Sequence, residues 1–241
     1  MKPTPPPRLG QRPSLAQALS QANNQGLTLI ECLVAIIMVA LVASAITPAL
    51  ILSVATRVQS QKAEQAMALG QSEIDRVRQL VEQGALAQVD AQVPQAPNSV
   101  LDSAPETQVG AAVGTTNIKA TPTSPTHTRA IDVNGDGVID FAVQIYRTRG
   151  ITDAAGEPVA FALGVRVYDY DAVASGTSGN LSTEPLSLGI TGGTGKRSER
   201  PIAAFYTTIA AAERGNSLCD LIRYSQSTTG VVSSSPLGCG P

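Results

Sequence analysis

Three places in the sequence carry residue types able to do chemistry. The first is Glu31, a carboxylate at the head of a run from Cys32 to Thr56 that has no charged side chain. An acidic residue at the centre of a membrane helix costs about 2.5–3.5 kcal/mol on insertion scales, and less near an end, so it needs a partner or a task. If the peptide bond after Gly26 is cut, Leu27 becomes a new N-terminus bearing an ammonium group. Glu31 can neutralise that charge on its own chain or on an adjacent one, beside first-turn amides that a helix cannot satisfy internally. Pairing between chains also fixes axial register, because other staggers leave a buried charge unpaired.

The second place is Asp132-Val133-Asn134-Gly135-Asp136-Gly137-Val138-Ile139-Asp140. Oxygens from Asp132, Asn134, Asp136 and Asp140, with glycine at the sixth position, resemble most of a calcium loop. The twelfth position is Val143, which cannot supply the closing carboxylate, so another group such as Asp169 or Asp171 would have to. A turn through Asn134 to Gly137, joining strands over 130–133 and 138–147, accounts for the same residues without metal. Both readings stand; calcium is the one ion in view and no other cofactor is expected.

The third place is the pair Cys219 and Cys239 near the C-terminus. In an oxidising compartment they can pair, closing a Ser- and Gly-rich loop with roughly 3 kcal/mol of chain-entropy stabilisation; otherwise they remain thiols. Cys32 reads as a small apolar side chain. His127 is the only histidine, so neither a Ser-His-Asp triad nor a Cys/His zinc cluster is available. Gly192-Gly193-Thr194-Gly195-Lys196 lacks the spacing of a phosphate loop. Nothing in the sequence suggests catalysis.

These residues need elements to position them. At ~1.5 Å per residue, the uncharged run spans roughly 37 Å, enough to cross a hydrocarbon core of about 30 Å. Ala63, Ala66, Gly70, Ile74, Val77 and Val81 continue at spacings of three and four, among charged residues on other positions such as Glu64, Glu73 and Arg78. The spacing predicts one helix from about Thr28 to Gln83, closed by Gly84, with an all-apolar first half and an amphipathic second half. Pro48 predicts a bend or local unwinding near 44–48. Residues 91–127, rich in Pro, Ser, Thr, Ala and Gly, read as an extended connection with one short strand at most. Phe141, Val143, Ile145 and then Phe161, Leu163, Val165, Val167 alternate with other residues as strands do, and 202–210 offers a third strand. The stretches 174–197 and 224–238 read as surface loops.

The fold expected is α+β: the long helix packed on a small antiparallel β-sheet. The divisions are 1–26, a leader; 27–56, a membrane or core helix; 57–84, an amphipathic helix; 85–129, linker and loop; and 130–241, an antiparallel β domain with the cysteine-bounded loop. Lys2, Arg8 and Arg12 are the only charges before Leu27, and they place the leader in the cytoplasm and the rest of the chain across the membrane. A signal peptide ending at Ala43-Ser44-Ala45 competes with this reading, but the apolar run continues past it and Glu31 is left unexplained. The formal net charge of -2 gives no case for nucleic acid as a partner. Aromatics are 3% and Trp is absent, so the soluble core is built from aliphatic side chains.

Gly26-Leu27-Thr28-Leu29-Ile30-Glu31 followed by an apolar helix resembles the prepilin leader, or N-terminal methylation motif, of type IV pilins and type II secretion pseudopilins. The resemblance implies a pilin-like fold and a prepilin peptidase that cuts Gly26–Leu27 and methylates Leu27, with Glu31 as the family glutamate. Pro48 coincides with a proline often found in the family helix, and Cys219 with Cys239 is similar to the disulfide-bounded region of many pilins. Leu27 stands where phenylalanine is commonest, and the leader is longer than many. Ile30-Glu31-Cys32-Leu33-Val34-Ala35, the Gln-rich helix and the Gly-Asp-Gly turn also resemble cyanobacterial pseudopilins linked to hormogonium polysaccharide secretion.

The function implied is that of a pseudopilin subunit in a pilus-like secretion filament, not an enzyme. It would be held in the inner membrane by a single pass with its C-terminal domain in the periplasm. The implied partners are other pilins or pseudopilins, an inner-membrane assembly platform and exported polysaccharide. A minor pilin for motility, adhesion or DNA uptake, and a single-pass membrane enzyme or sensor, are the alternatives.

Overall fold

The structure, a computed structural model, describes residues 28–97, 105–116, 120–174, 181–186, 199–211 and 217–229. It divides into two compact units, one up to Arg57 and one from Val58. Helix α1 (Leu29–Glu82) contributes to both. It starts at Thr28, whose carbonyl accepts the amide of Cys32 at 3.1 Å. It ends in a Schellman arrangement: the Gly84 amide donates to the Val81 carbonyl and the Ala85 amide to the Leu80 carbonyl. Gly84 has φ +71, the left-handed conformation that only glycine adopts cheaply.

Pro48 does not unwind the helix, which runs unbroken through it. A proline removes one amide from the ladder. Next to it the Thr47 hydroxyl donates to the Ala43 carbonyl at 2.7 Å and the Ser44 hydroxyl to the Leu41 carbonyl at 2.8 Å.

In the second unit α1 buries Ala63, Ala66, Gly70, Glu73, Val77 and Val81. After Gly84 the chain forms α2 (Leu86–Gln92), then α3 (Pro105–Gln108) and β1 (Gly114–Thr116). The segment expected as linker therefore belongs to the folded domain. Leu86, Val89 and Val93 sit in the main core with Val77 and Val81. A helix this short is marginal by propensity, and the burial of its apolar face is what stabilises it.

Among the described residues the sheet has six strands, completed by β2 (His127–Ile131), β3 (Phe141–Arg147), β4 (Ile151–Thr152), β5 (Pro158–Asp169) and β6 (Ala203–Ala210). β3 and β4 pair successive parts of one side of β5, and β6 pairs the other side. β2 is antiparallel to β3, but β1 runs parallel to β2, so the sheet is mixed rather than purely antiparallel. A parallel neighbour cannot be joined by a tight hairpin and needs a crossover connection.

Both faces of the sheet are covered. Phe141, Val143, Ile145, Phe161, Leu163, Val165 and Val167 form one core with α1 and α2. On the opposite face Ala142 packs with Tyr168 and Ala112, Tyr146 with Val109, and Ala160 and Ala162 with Tyr224. This is why β5 is buried from Pro158 to Tyr168 instead of alternating with solvent. Tyr224 comes from helix α5 (Ser217–Thr229), which occupies part of the segment expected as a loop over 224–238. A short helix α4 (Tyr170–Ala174) follows β5 directly.

Candidate functional site

The residues expected to direct processing and assembly lie at the head of α1. Gly26 and Leu27 lie outside the described residues. Thr28 caps the helix: its hydroxyl accepts the Glu31 amide at 3.3 Å, and its carbonyl accepts the same amide at 3.0 Å. Thr28 and Glu31 thus stand in the spacing of a capping box. Glu31 is the acidic residue of the first turn, a favourable place beside the positive end of the helix dipole. Its side chain is exposed in the single chain.

From Leu29 to Arg57 the helix has no buried residue. Leu29 is 85% exposed, and Ile30, Ile36, Val39, Ile51 and Leu52 are each more than half exposed. Full burial of each such side chain stabilises by about 1.5–3 kcal/mol, so this surface is strongly driven towards lipid or other apolar helices. By length and hydropathy the helix can cross a membrane. Pro48 and Cys32 are on this exposed half, and Cys32 is a free thiol. In the other unit Cys219 lies on α5. Cys239, its expected partner, lies outside the described residues, as does the glycine-rich stretch at 192–196.

The loop from Asp132 to Asp140 is closed by its own amides. Asp132 Oδ1 accepts from the Gly135 amide at 2.7 Å and Oδ2 from the Gly137 amide at 2.9 Å. Asn134 Oδ1 accepts from the Asp136 amide, Asp136 Oδ1 from the Val138 amide, and Asp140 Oδ2 from the Val133 amide. The Gly137 amide foremost, with those of Gly135, Asn134 and Asp136, holds the Asp132 carboxyl below its usual range, against an opposing effect of desolvation. Asp169, named above as a closing ligand, has other partners: its Oδ2 pairs with Lys62 at 2.9 Å and its Oδ1 accepts the Asp171 amide. Among the described residues no three His, Cys, Asp or Glu side chains converge as a metal-holding group. The loop is also longer than the turn expected, since β2 ends at Ile131 and β3 begins at Phe141.

Two charged clusters escaped the sequence reading. Glu73, placed on the solvent side by periodicity, is only 6% exposed. It pairs with Arg76 at 3.0 Å and with Arg129 of β2, tying α1 to the sheet. Arg76 also donates to Gln92 of α2 at 2.6 Å. The other cluster centres on Arg166 of β5, which is completely buried. It donates to the carbonyls of Glu106, Val109 and Gly110, to Gln144 Oε1 and to the Tyr206 hydroxyl. Its guanidinium lies 5.1 Å from the centroid of Tyr146 and 5.7 Å from that of Tyr206. Burial raises the pKa of Tyr146 and pushes that of Tyr168 up to about 12, in each case against the opposing influence of Arg166. The available signal was register: Arg166 and Tyr146 occupy alternate positions of two strands that pair side by side.

An apolar, membrane-competent N-terminal helix whose continuation builds an α+β domain is consistent with a pilin-like fold and fits a single-pass membrane anchor. Residues 21–47 match the prokaryotic N-terminal methylation motif. That motif is the one shared by type IV pilins and pseudopilins, and here it stands at the head of a pilin-like α+β fold. That motif implies processing by prepilin peptidase and assembly with other pilins. No curated protein and no solved structure matches the chain, so beyond residue 47 its reading rests on its own geometry.

Proposed function

We propose that this chain is a pseudopilin of a pilus-like secretion filament, cut between Gly26 and Leu27 and methylated on Leu27. The observation that carries the reading is the bare apolar half of α1, headed by Glu31 and joined to the methylation motif. Before assembly this half lies in the inner membrane, with the second unit in the periplasm. On assembly it leaves lipid for the apolar helices of other subunits, where Glu31 pairs with the ammonium of a neighbouring Leu27 and sets the stagger. An inner-membrane platform supplies the work, and the chain supplies shape and register. The same reading pairs Cys219 with Cys239, which ties the C-terminal end to α5.

The exported polymer in this reading is polysaccharide, supported by the resemblance of Ile30–Ala35 and the Gly-Asp-Gly turn to pseudopilins of polysaccharide export. Shearing filaments from cells and blotting for the chain tests the assembly claim. The mature chain should sediment with the filaments, and a chain found solely as full-length membrane precursor would refute it. Deleting the gene should lower extracellular polysaccharide; undiminished export with loss of surface motility would replace the cargo assignment.

A further inference from the structure

The loop between β2 and β3 holds the one asparagine of the chain that is followed by glycine, Asn134-Gly135. Glycine suits position 135 because its φ of +76 lies in the left-handed region. The pairing is chemically weak. With no side chain on the following residue to hinder it, the Gly135 backbone nitrogen can attack Cγ of Asn134. The nitrogen–Cγ bond forms as the Cγ–Nδ2 bond breaks, and the proton shed by the Gly135 amide leaves with Nδ2 as ammonia. Water then opens the cyclic imide at either carbonyl, leaving an aspartate or an isoaspartate at position 134. Both residues are exposed, so water has access.

Three hydrogen bonds hold the atoms that this reaction has to move. The Gly135 amide donates to Asp132 Oδ1 at 2.7 Å. The carboxylate keeps that N–H turned to itself, and its negative charge opposes loss of the proton. Asn134 is held at both ends by one residue: its Oδ1 accepts the Asp136 amide at 3.0 Å, and its Nδ2 donates to Asp136 Oδ2 at 2.9 Å. Asp132 is itself fixed, because its other oxygen accepts the Gly137 amide at 2.9 Å. Bringing Cγ onto the Gly135 nitrogen therefore breaks bonds to both carboxylates. The product is disfavoured in the same place, since a carboxylate at 134 would meet Asp136 Oδ2 where an N–H now donates to it.

We propose that Asn134-Gly135 is a latent deamidation site that the loop keeps closed, Asp132 by holding the attacking amide and Asp136 by fixing the side chain it would attack. Asp132 is a positioning residue in this account, acting through the Gly135 amide. The role is independent of the processing and assembly readings.

The test follows the full chain, purified in detergent with a chelator present so that no cation holds the loop, during incubation at neutral pH. Ammonia release is measured, and isoaspartate at position 134 is located by peptide mapping. Ammonia distinguishes this reaction from rearrangement at Asp136-Gly137, which releases no nitrogen. The native chain should react at least about tenfold more slowly than the same chain unfolded in denaturant, the rate factor of one hydrogen bond to a charged group. Asp132→Ala should remove most of that protection. Asp140→Ala, which releases the Val133 amide and leaves the three bonds in place, should stay close to the native rate. A native rate equal to the unfolded one would overturn the proposal, as would an Asp132→Ala chain that reacts no faster than the native one. Equal acceleration in Asp132→Ala and Asp140→Ala would also overturn it, because protection would then come from loop closure in general.

Discussion

The two halves of α1 are one helix with opposite relations to the rest of the chain. From Val58 to Glu82 it buries a stripe of small and apolar residues under its own sheet, and even its one buried carboxylate, Glu73, is paired with arginines on both sides. From Leu29 to Arg57 it buries nothing, and its one carboxylate, Glu31, has no basic side chain beside it in the sequence before Arg57. Helix formation is local and does not distinguish the halves; burial does. The second half is completed by folding, and the first has to be completed by lipid or by other chains.

The largest effect is expected at the processing site. Gly26→Glu should leave only membrane-bound precursor on an immunoblot, with none in sheared filaments; normal incorporation would dissociate the motif from assembly. Next comes the self-covered half. Phe161 is fully buried in the core against the sheet and helix, so Phe161→Ala should lower the stability of the detergent-solubilised chain by about 3–5 kcal/mol. Its cleavage at Gly26 should be unchanged, which would show that the two units answer to different constraints.

Glu31→Ala should do the reverse. It should leave the melting temperature of the second unit where it was and permit cleavage, while filament incorporation falls at least tenfold, about the strength of one charge-assisted hydrogen bond. Equal incorporation would show that register comes from packing alone. The smallest effect is a pH dependence in the face of the sheet turned away from α1. A neutral tyrosine whose folded pKa is raised contributes stability that is full below the unfolded value of 10.0 and is lost as pH rises towards the folded one. For Tyr168 that window runs from pH 10.0 to about 12. Melts across it should show a falling midpoint that flattens in Tyr168→Phe, and an identical slope in the variant would assign the loss to other groups.

The difference between the halves also explains what could be read in the sequence. The long helix that the uncharged run begins and its stop at Gly84 were legible because each is local: a composition, a spacing or a backbone conformation. So were β3, β5 and β6, whose apolar residues alternate. α2 was hidden because Leu86, Val89 and Val93 form too short a pattern to separate from a loop, and only the core they enter makes them a helix. Glu73 was assigned to solvent because periodicity cannot foresee an arginine from a strand 56 residues on. Arg166 was hidden because a strand carrying an arginine implies one wet face, whereas chain from Glu106 to Gly110 supplies carbonyls that cover it. The parallel pairing of β1 with β2 is a matter of topology with no local mark.

The central claim is that the bare half of α1 belongs to a chain processed for assembly, with the new N-terminus five positions from the Glu31 countercharge when both ends are counted. Intact-mass and N-terminal analysis of the chain purified from sheared filaments tests this most directly. The account predicts a single species beginning at N-methylated Leu27, and a filament-borne chain that still carries residues 1–26 would contradict it.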